Sequence, residues 1–431
     1  MAETPIWDKG GANVDERIMR FLAGEDVRLD QHLLPYDIRA SIAHVHGLHR
    51  INILDSKESK ALVAALGALQ AQVAAGRFVL DDRYEDGHSA IEACLTEQLG
   101  DAGRKVHTGR SRNDQVLVAT RLYLRDQLDR IVVQSLDIAE MFLERAASDE
   151  HTPMPGYTHL QRAVPSTVGL WCGAFAESFI DIAAFTQSTR QWINACPLGT
   201  AAGYGINLNL DRQGVSDELE FDRVQINAMY AQNSRGRFEL SGLHALHQAL
   251  AEVRRFAWDL SLFTTEEFGF VHLPDKFTTG SSIMPNKRNP DVVELLRASC
   301  GVAEGAMAEL ASVLSLPSGY HRDLQATKEP LIRAMSRGLS ALAIVPDLVA
   351  SMEFDRSRMR EAITPAMFAT DRATALAARG MPFRDAYRQV GQEIDALTQR
   401  PIDESIAQRT SLGGPGHLGL NVLRQRLDDL R

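Results

Sequence analysis

A serine hydroxyl acts as a base only where positive charge or N–H donors lower the cost of its alkoxide. One stretch of this chain gathers such parts. Gly280-Ser-Ser-Ile-Met-Pro-Asn-Lys-Arg-Asn-Pro290 sets Ser281 in a Gly-led loop and places Lys287 six residues on. A loop that folds back would bring that ammonium to the hydroxyl. The stretch closes on Asn289-Pro290-Asp291, where Asn is expected to cap a helix, Pro to take its first position and Asp to face its positive end. A plain charged surface loop accounts for the same residues, so both readings stand on this stretch alone.

Further polar stretches sit beside expected helix starts. His107-Thr-Gly-Arg-Ser-Arg-Asn-Asp-Gln115 is dense in hydrogen-bond donors and carries two Arg. Guanidinium forks beside free helix N–H groups are a way to hold a carboxylate. Asn113 or Asp114 as a simple helix cap explains one residue but not Arg110, Ser111, Arg112 and Gln115 together. In Tyr157-Thr-His-Leu-Gln-Arg162, His159 is either a general acid or a hydrogen-bonded structural histidine. Glu294, in the first turn of the helix after the serine loop, is placed to orient a histidine from a neighbouring helix. Tyr320-His-Arg-Asp-Leu-Gln325 and Lys328 offer polar groups for a second end of a substrate.

Other constellations are weak. His44, His46 and His49 do not converge on a helix, because positions 44 and 46 point about 200° apart. Gly199, Gly203 and Gly205 lack the spacing and the preceding strand of a dinucleotide loop. Neither metal nor cofactor is expected.

Long helices must position these stretches. Residues 115–145, 165–195, 237–265 and 290–315 each read as helical with few breakers, well beyond the average helix of about 11–12 residues. Ile131-Val132-Val133 and Ile180 to Phe185 are apolar on more than one face, so these rods need burial on several sides. That implies a bundle continuing across a subunit boundary. Residues 1–35 read as an irregular arm ended by Leu33-Leu34-Pro35. Helices are expected over Tyr36–Ile53 and Glu58–Ala75, with Gly76 as the stop of the second. No β-alternation of useful length is seen. Expected domains are 1–106 (small, helical), 107–355 (long-helix bundle) and 356–431 (short helices punctuated by Pro and Gly).

The totals agree with a globular helical protein. Of 431 residues 45% are hydrophobic and only 6% aromatic. A net charge of −10 advertises no face for nucleic acid. Cys94, Cys172, Cys196 and Cys300 lie far apart, which fits a reducing compartment rather than a disulfide framework. No signal peptide and no run of 18 apolar residues is seen, so no membrane span and a cytoplasmic location are expected.

Taken together, the motifs resemble the argininosuccinate lyase family of the fumarase/aspartase superfamily. The 280–290 stretch is similar to the superfamily signature. His107–Gln115, Tyr157–Arg162 and Tyr36-Asp-Ile-Arg-Ala-Ser-Ile-Ala-His44 are similar to the argininosuccinate branch. The resemblance covers roughly residues 36–335 and implies an all-α, three-domain subunit in a homotetramer with a 20-helix core and active sites built from three chains. The implied reaction is reversible anti β-elimination of argininosuccinate to arginine and fumarate, through a carbanion whose charge spreads into a neighbouring carboxylate. By resemblance, Ser281 is the base. Lys287, Asn289, Ser111, Arg112, Asn113 and Thr158 grip carboxylates. His159, partnered by Glu294, is the candidate acid. Tyr320, Gln325 and Lys328 hold the arginine end, and His88, in Asp86-Gly-His-Ser, lines the pocket.

Two segments depart from the family pattern. The arm reads Trp7-Asp-Lys-Gly-Gly11, and Asn227-Ala-Met-Tyr-Ala-Gln-Asn-Ser-Arg-Gly236 keeps only Asn227, Ala231 and Arg235. Both border the arginine side of the implied pocket. An adenylosuccinate lyase shares Lys287-Arg-Asn-Pro290 but not the His107–Gln115 stretch. A non-catalytic lens-protein role is disfavoured by the intact Ser281, Lys287 and His159.

Overall fold

The computed structural model describes residues 17, 18, 21, 24–81 and 83–431; the Trp7–Gly11 stretch lies outside them. The described chain is predominantly helical and divides into two compact units. One comprises Met1–Arg130, Thr186–Leu246 and Val302–Arg337, the other Ile131–Phe185, His247–Gly301 and Gly338–Arg431.

The first unit begins with α1 (Asp26–Arg50), α2 (Ser56–Ala74) and α3 (Gly87–Leu99). Leu34, Ile38, Val45 and Leu48 of α1 pack with Leu62 and Leu66 of α2 and Ile91 and Leu95 of α3. Each such side chain contributes about 1.5–3 kcal/mol by leaving water. Asp55 and Glu58 form a capping box at the start of α2, and Gly76, at φ +66°, ends it as expected.

Helix α1 corrects the sequence reading. It starts ten residues before Tyr36 and carries Pro35 inside it. The missing proline N–H removes one helical bond, but Leu29, Leu33 and Leu34 are buried on the same element, and that burial outweighs the defect.

Long rods follow: α4 (Arg112–Ser148), α5 (Val168–Ile193), α6 (Arg237–Phe263), α7 (Asp291–Val313) and α8 (Lys328–Ser351). The first four match the rods expected from periodicity; α8 is additional. In the second unit an aromatic core joins α4, α5 and α6. Phe142 of α4 lies 5.2 Å, centroid to centroid, from both Phe175 of α5 and Phe256 of α6. Trp171 donates its indole N–H to Asp259 at 2.9 Å, so its polar edge is satisfied. By length and composition α5 alone among the described helices is apolar enough to cross a membrane, yet more than half of its most apolar stretch is buried within the protein.

A second correction concerns β structure. Pro153–Thr158 (β1) and Gln161–Thr167 (β2) form an antiparallel hairpin, with an irregularity between Pro155 and Tyr157. Pro and Gly break the alternation that would have announced it. Its two-residue turn is His159-Leu160, at φ +54° and +57°, the twist that a tight hairpin requires.

Candidate active site

In the first unit the polar stretch at 107–115 forms a capped helix start. Ser111 precedes α4, and its hydroxyl accepts the Asn113 N–H at 3.3 Å. Asp114 reaches back to the Ser111 N–H at 2.8 Å, a reciprocal box. The cap is therefore Ser111, not Asn113 or Asp114. The second carboxylate oxygen of Asp114 accepts the N–H groups of Gly199 and Ala201 at 3.0 and 2.9 Å, which ties the glycine-rich 199–205 loop to this turn. Burial raises the Asp114 carboxyl to about 6, against the lowering effect of those donors. The side-chain amide of Asn113 has no hydrogen-bond partner among the described residues and is half-exposed, so it remains available to a ligand.

Arg112 is not free. It pairs with Glu85 at 3.0 Å and with Asp86 at closer range. Asp86 also caps α3. Burial alone would raise the Asp86 carboxyl, but His88 and Arg112 hold it well below the usual range. His88 lies on the first turn of α3, buried, with Nδ1 against the carboxylate of Asp37. Arg110 donates to Ser41 at 2.9 Å. Burial and Arg110 push His107 down to about 4.

Lys328 opens α8 and is 4% exposed. Its ammonium donates to Asp30 at 2.7 Å and Asp26 at 3.1 Å. Burial favours the neutral amine, but the two carboxylates outweigh it and raise the pKa. Asp30 in turn accepts the Gly87 N–H at 3.0 Å. His88, Arg112 and Lys328 are thus drawn together through Asp26, Asp30 and Asp37 on α1 and the Asp86–His88 turn. Tyr320 stands beside this cluster with the Arg235 guanidinium 6.0 Å from its ring centre, and Gln325 is half-buried. In the divergent 227–236 segment, Asn227 caps a short helix and Asn233 accepts the Gly319 N–H at 2.8 Å.

In the second unit the serine loop is closed by mutual backbone hydrogen bonds between Thr279 and Asn289, 2.9 and 2.8 Å. The first helical bond of α7 runs from Glu294 N–H to the Pro290 carbonyl at 3.2 Å. The residue that caps α7 is therefore Pro290, not Asn289, whose backbone is committed to the bridge. Ser281 Oγ accepts N–H groups from Met284 at 3.1 Å and Ile283 at 3.4 Å. Lys287 is exposed and makes no hydrogen bond to Ser281. Arg288 pairs with Asp275 instead.

His159 sits exposed at the hairpin turn, with Thr158 beside it at the end of β1. Glu294 is also exposed; its nearest cation is Arg297 on the next turn, at 4.0 Å. His159 and Glu294 make no ion pair with each other within the chain. His44, His46 and His49 are hydrogen-bonded to Thr108, Glu218 and Leu54.

The partners that sequence reading missed are Asp26, Asp30 and Asp37. Four and seven residues apart, they share one face of a helix. That signal is visible only if α1 is read through Pro35.

Comparison with known proteins gives the family of the chain. A lyase family model matches residues 12–305. The argininosuccinate lyase of Sorangium cellulosum is 54% identical over 423 residues, covering 98% of each chain. That of Stenotrophomonas maltophilia is 52% identical over 422 residues, again 98% of each. Among solved structures, an EDDS lyase in complex with formate superposes with TM-score 0.77 at 24% identity, over 98% of this chain and 90% of that one. A class II fumarase from Schistosoma mansoni gives 0.73 at 16%, over 99% and 96%. The distant structures share the all-α fold, and the near-full-length sequence relatives decide the rest: this chain belongs to the argininosuccinate lyase family.

Proposed function

We propose that the protein is an argininosuccinate lyase, splitting argininosuccinate reversibly into arginine and fumarate. The carrying observation is the 54% identity spread over 98% of the chain, with the serine loop and the 107–115 turn both intact. Ser281 removes the proton next to a succinyl carboxylate. The two backbone N–H groups aimed at its Oγ favour the alkoxide, and Lys287 adds charge once the loop is covered. The developing dianion is gripped by Asn289, Thr158, Ser111, Asn113 and Arg112. His159, oriented by Glu294, protonates the leaving guanidino nitrogen, a contact that must form between subunits because the two do not pair within one. Tyr320, Gln325 and Lys328 serve the arginine end, with His88 lining the same pocket.

The same proposal includes the domains 1–106, 107–355 and 356–431 and a homotetramer with a 20-helix core, each site drawing on three chains. In its favour, Val133, Trp258, Leu295 and Ile344, all on long helices, are 57%, 53%, 73% and 41% exposed, which is apolar surface suited to burial against another copy. The test is absorbance in the fumarate band after adding argininosuccinate or adenylosuccinate. A rise with argininosuccinate alone is expected; no rise with it would end the proposal.

A further inference from the structure

Arg112 and Lys328, the cations expected to meet the substrate from the first unit, are both occupied by carboxylates of their own chain. His88 differs. Its Nδ1 is engaged by Asp37, but its Nε2 is buried with no partner among the described residues. One oxygen of Asp37 is likewise unpartnered. A buried donor left without an acceptor costs about 1–3 kcal/mol, a penalty that a bound anion would remove.

We propose that Asp37 is a positioning residue, holding His88 as a buried imidazolium whose Nε2–H donates to a carboxylate of the substrate. This rests on the reading of His88 as part of the pocket. The surroundings favour the charged ring. Asp30 and Asp37 face it from α1, Asp86 from the preceding turn and His107 from the segment before α4, with Arg110 acting on Asp37 and Arg112 paired to Asp86. Burial depresses the imidazole, but Asp37, Asp86 and Asp30 together outweigh it and raise the pKa above its ordinary 6.5. His107, pushed down to about 4, stays neutral and does not oppose it. The pair thus sorts two neighbouring histidines into one cation and one neutral ring. An Nε2–H on a cation is a stronger donor to a carboxylate than a neutral one, and the Nδ1 contact sets which nitrogen faces the ligand.

Imidazole NMR on the whole protein, with fumarate as the probe, tests this without relying on turnover. The His88 ring should stay protonated above 6.5, show a hydrogen-bonded Nδ1 proton far downfield, and shift at Nε2 when fumarate binds. A His88 that titrates at its ordinary value would overturn the inference, as would an Nε2 signal indifferent to saturating fumarate. Kinetics give the second readout. Asp37→Asn should raise KM about ten- to hundredfold, the loss expected for one hydrogen bond to a charged group, and move the kcat/KM optimum to lower pH, where the ring recovers its charge. A loss equal at every pH would reduce Asp37 to a structural residue and refute the proposal. An intact charged pair in a protein that releases no fumarate from argininosuccinate would instead refute the assigned reaction, so the two failures are separable.

Discussion

Replacing Lys328 with methionine keeps an unbranched side chain, one atom shorter, and removes the ammonium that donates to Asp26 and Asp30. At an effective dielectric near 20, each contact at 2.7 and 3.1 Å is worth about 5–6 kcal/mol of attraction, most of it offset by taking the ammonium out of water. Breaking a buried pair nevertheless costs about 3–5 kcal/mol, because the abandoned carboxylates stay buried. Here Asp26 and Asp30 would face each other across one turn of α1. The chain can escape by protonating one of them, and from an ordinary carboxylate pKa that costs at most about 4 kcal/mol at pH 7.

The expected destabilisation of Lys328→Met is therefore about 3–4 kcal/mol at neutral pH, read as a loss of unfolding free energy in urea at fixed protein concentration. The sign with pH follows from the carboxylates. Burial already holds Asp26 above its ordinary 3.8 against the pull of Lys328, and the variant loses that pull, so its share of stability is present below 3.8 and is lost as pH climbs through the raised value. The deficit should shrink by about 1.4 kcal/mol per pH unit on acidification. Adding Asp30→Asn should recover part of it, with a coupling of about 1–3 kcal/mol. A deficit below about 1 kcal/mol that ignores pH, with no coupling to Asp30, would refute the view that this ammonium holds two buried carboxylates.

Three further outcomes are expected. Ser281→Ala should keep its circular dichroism and native mass while turnover falls by about 10²–10⁴; near-normal rates would mean another base. Mixing Ser281→Ala with His159→Asn subunits should restore part of the activity if sites are shared, and confirmed hybrids without recovery would count against sharing. Leu295→Arg, at a 73% exposed apolar position on α7, should yield a smaller species in sedimentation that is folded but inactive, and an active dissociated chain would contradict the oligomeric site.

The rods were legible because a helix needs only periodic apolar residues, and α4 to α7 keep that period for 23 to 37 residues. The hairpin was not, since His159-Leu160 lacks the Asn or Gly that usually marks a positive-φ turn. Residue types in the 107–115 and 280–290 stretches pointed to anion handling. Their partners stayed hidden, because an ion pair such as Lys328 with Asp26 joins positions 302 residues apart. Proline rules misread α1, where Leu29, Leu33 and Leu34 are buried around the break. Local preference costs about 3 kcal/mol there, which two buried leucines can match.

The candidate residues of the two units differ in a way that bears on the proposed chemistry. Groups from the first unit are charge-matched and buried, or half-buried in the case of Arg112: Lys328 with Asp26 and Asp30, Arg112 with Asp86, His88 with Asp37. Those from the second unit, His159, Lys287 and Glu294, are exposed. An ammonium about 4 Å from an alkoxide in water supplies only about 1 kcal/mol, less than one pKa unit. At an effective dielectric of 20 the same contact supplies about 4 kcal/mol, or three units. Ser281 already has two backbone donors, so what it lacks is a low-dielectric cover and the nearby cation. Both arrive if another surface closes over the 280–290 loop. On this reading the apolar flanks of the long helices are a condition for the chemistry as well as for assembly, since the charge on Lys287 becomes useful only after water is removed.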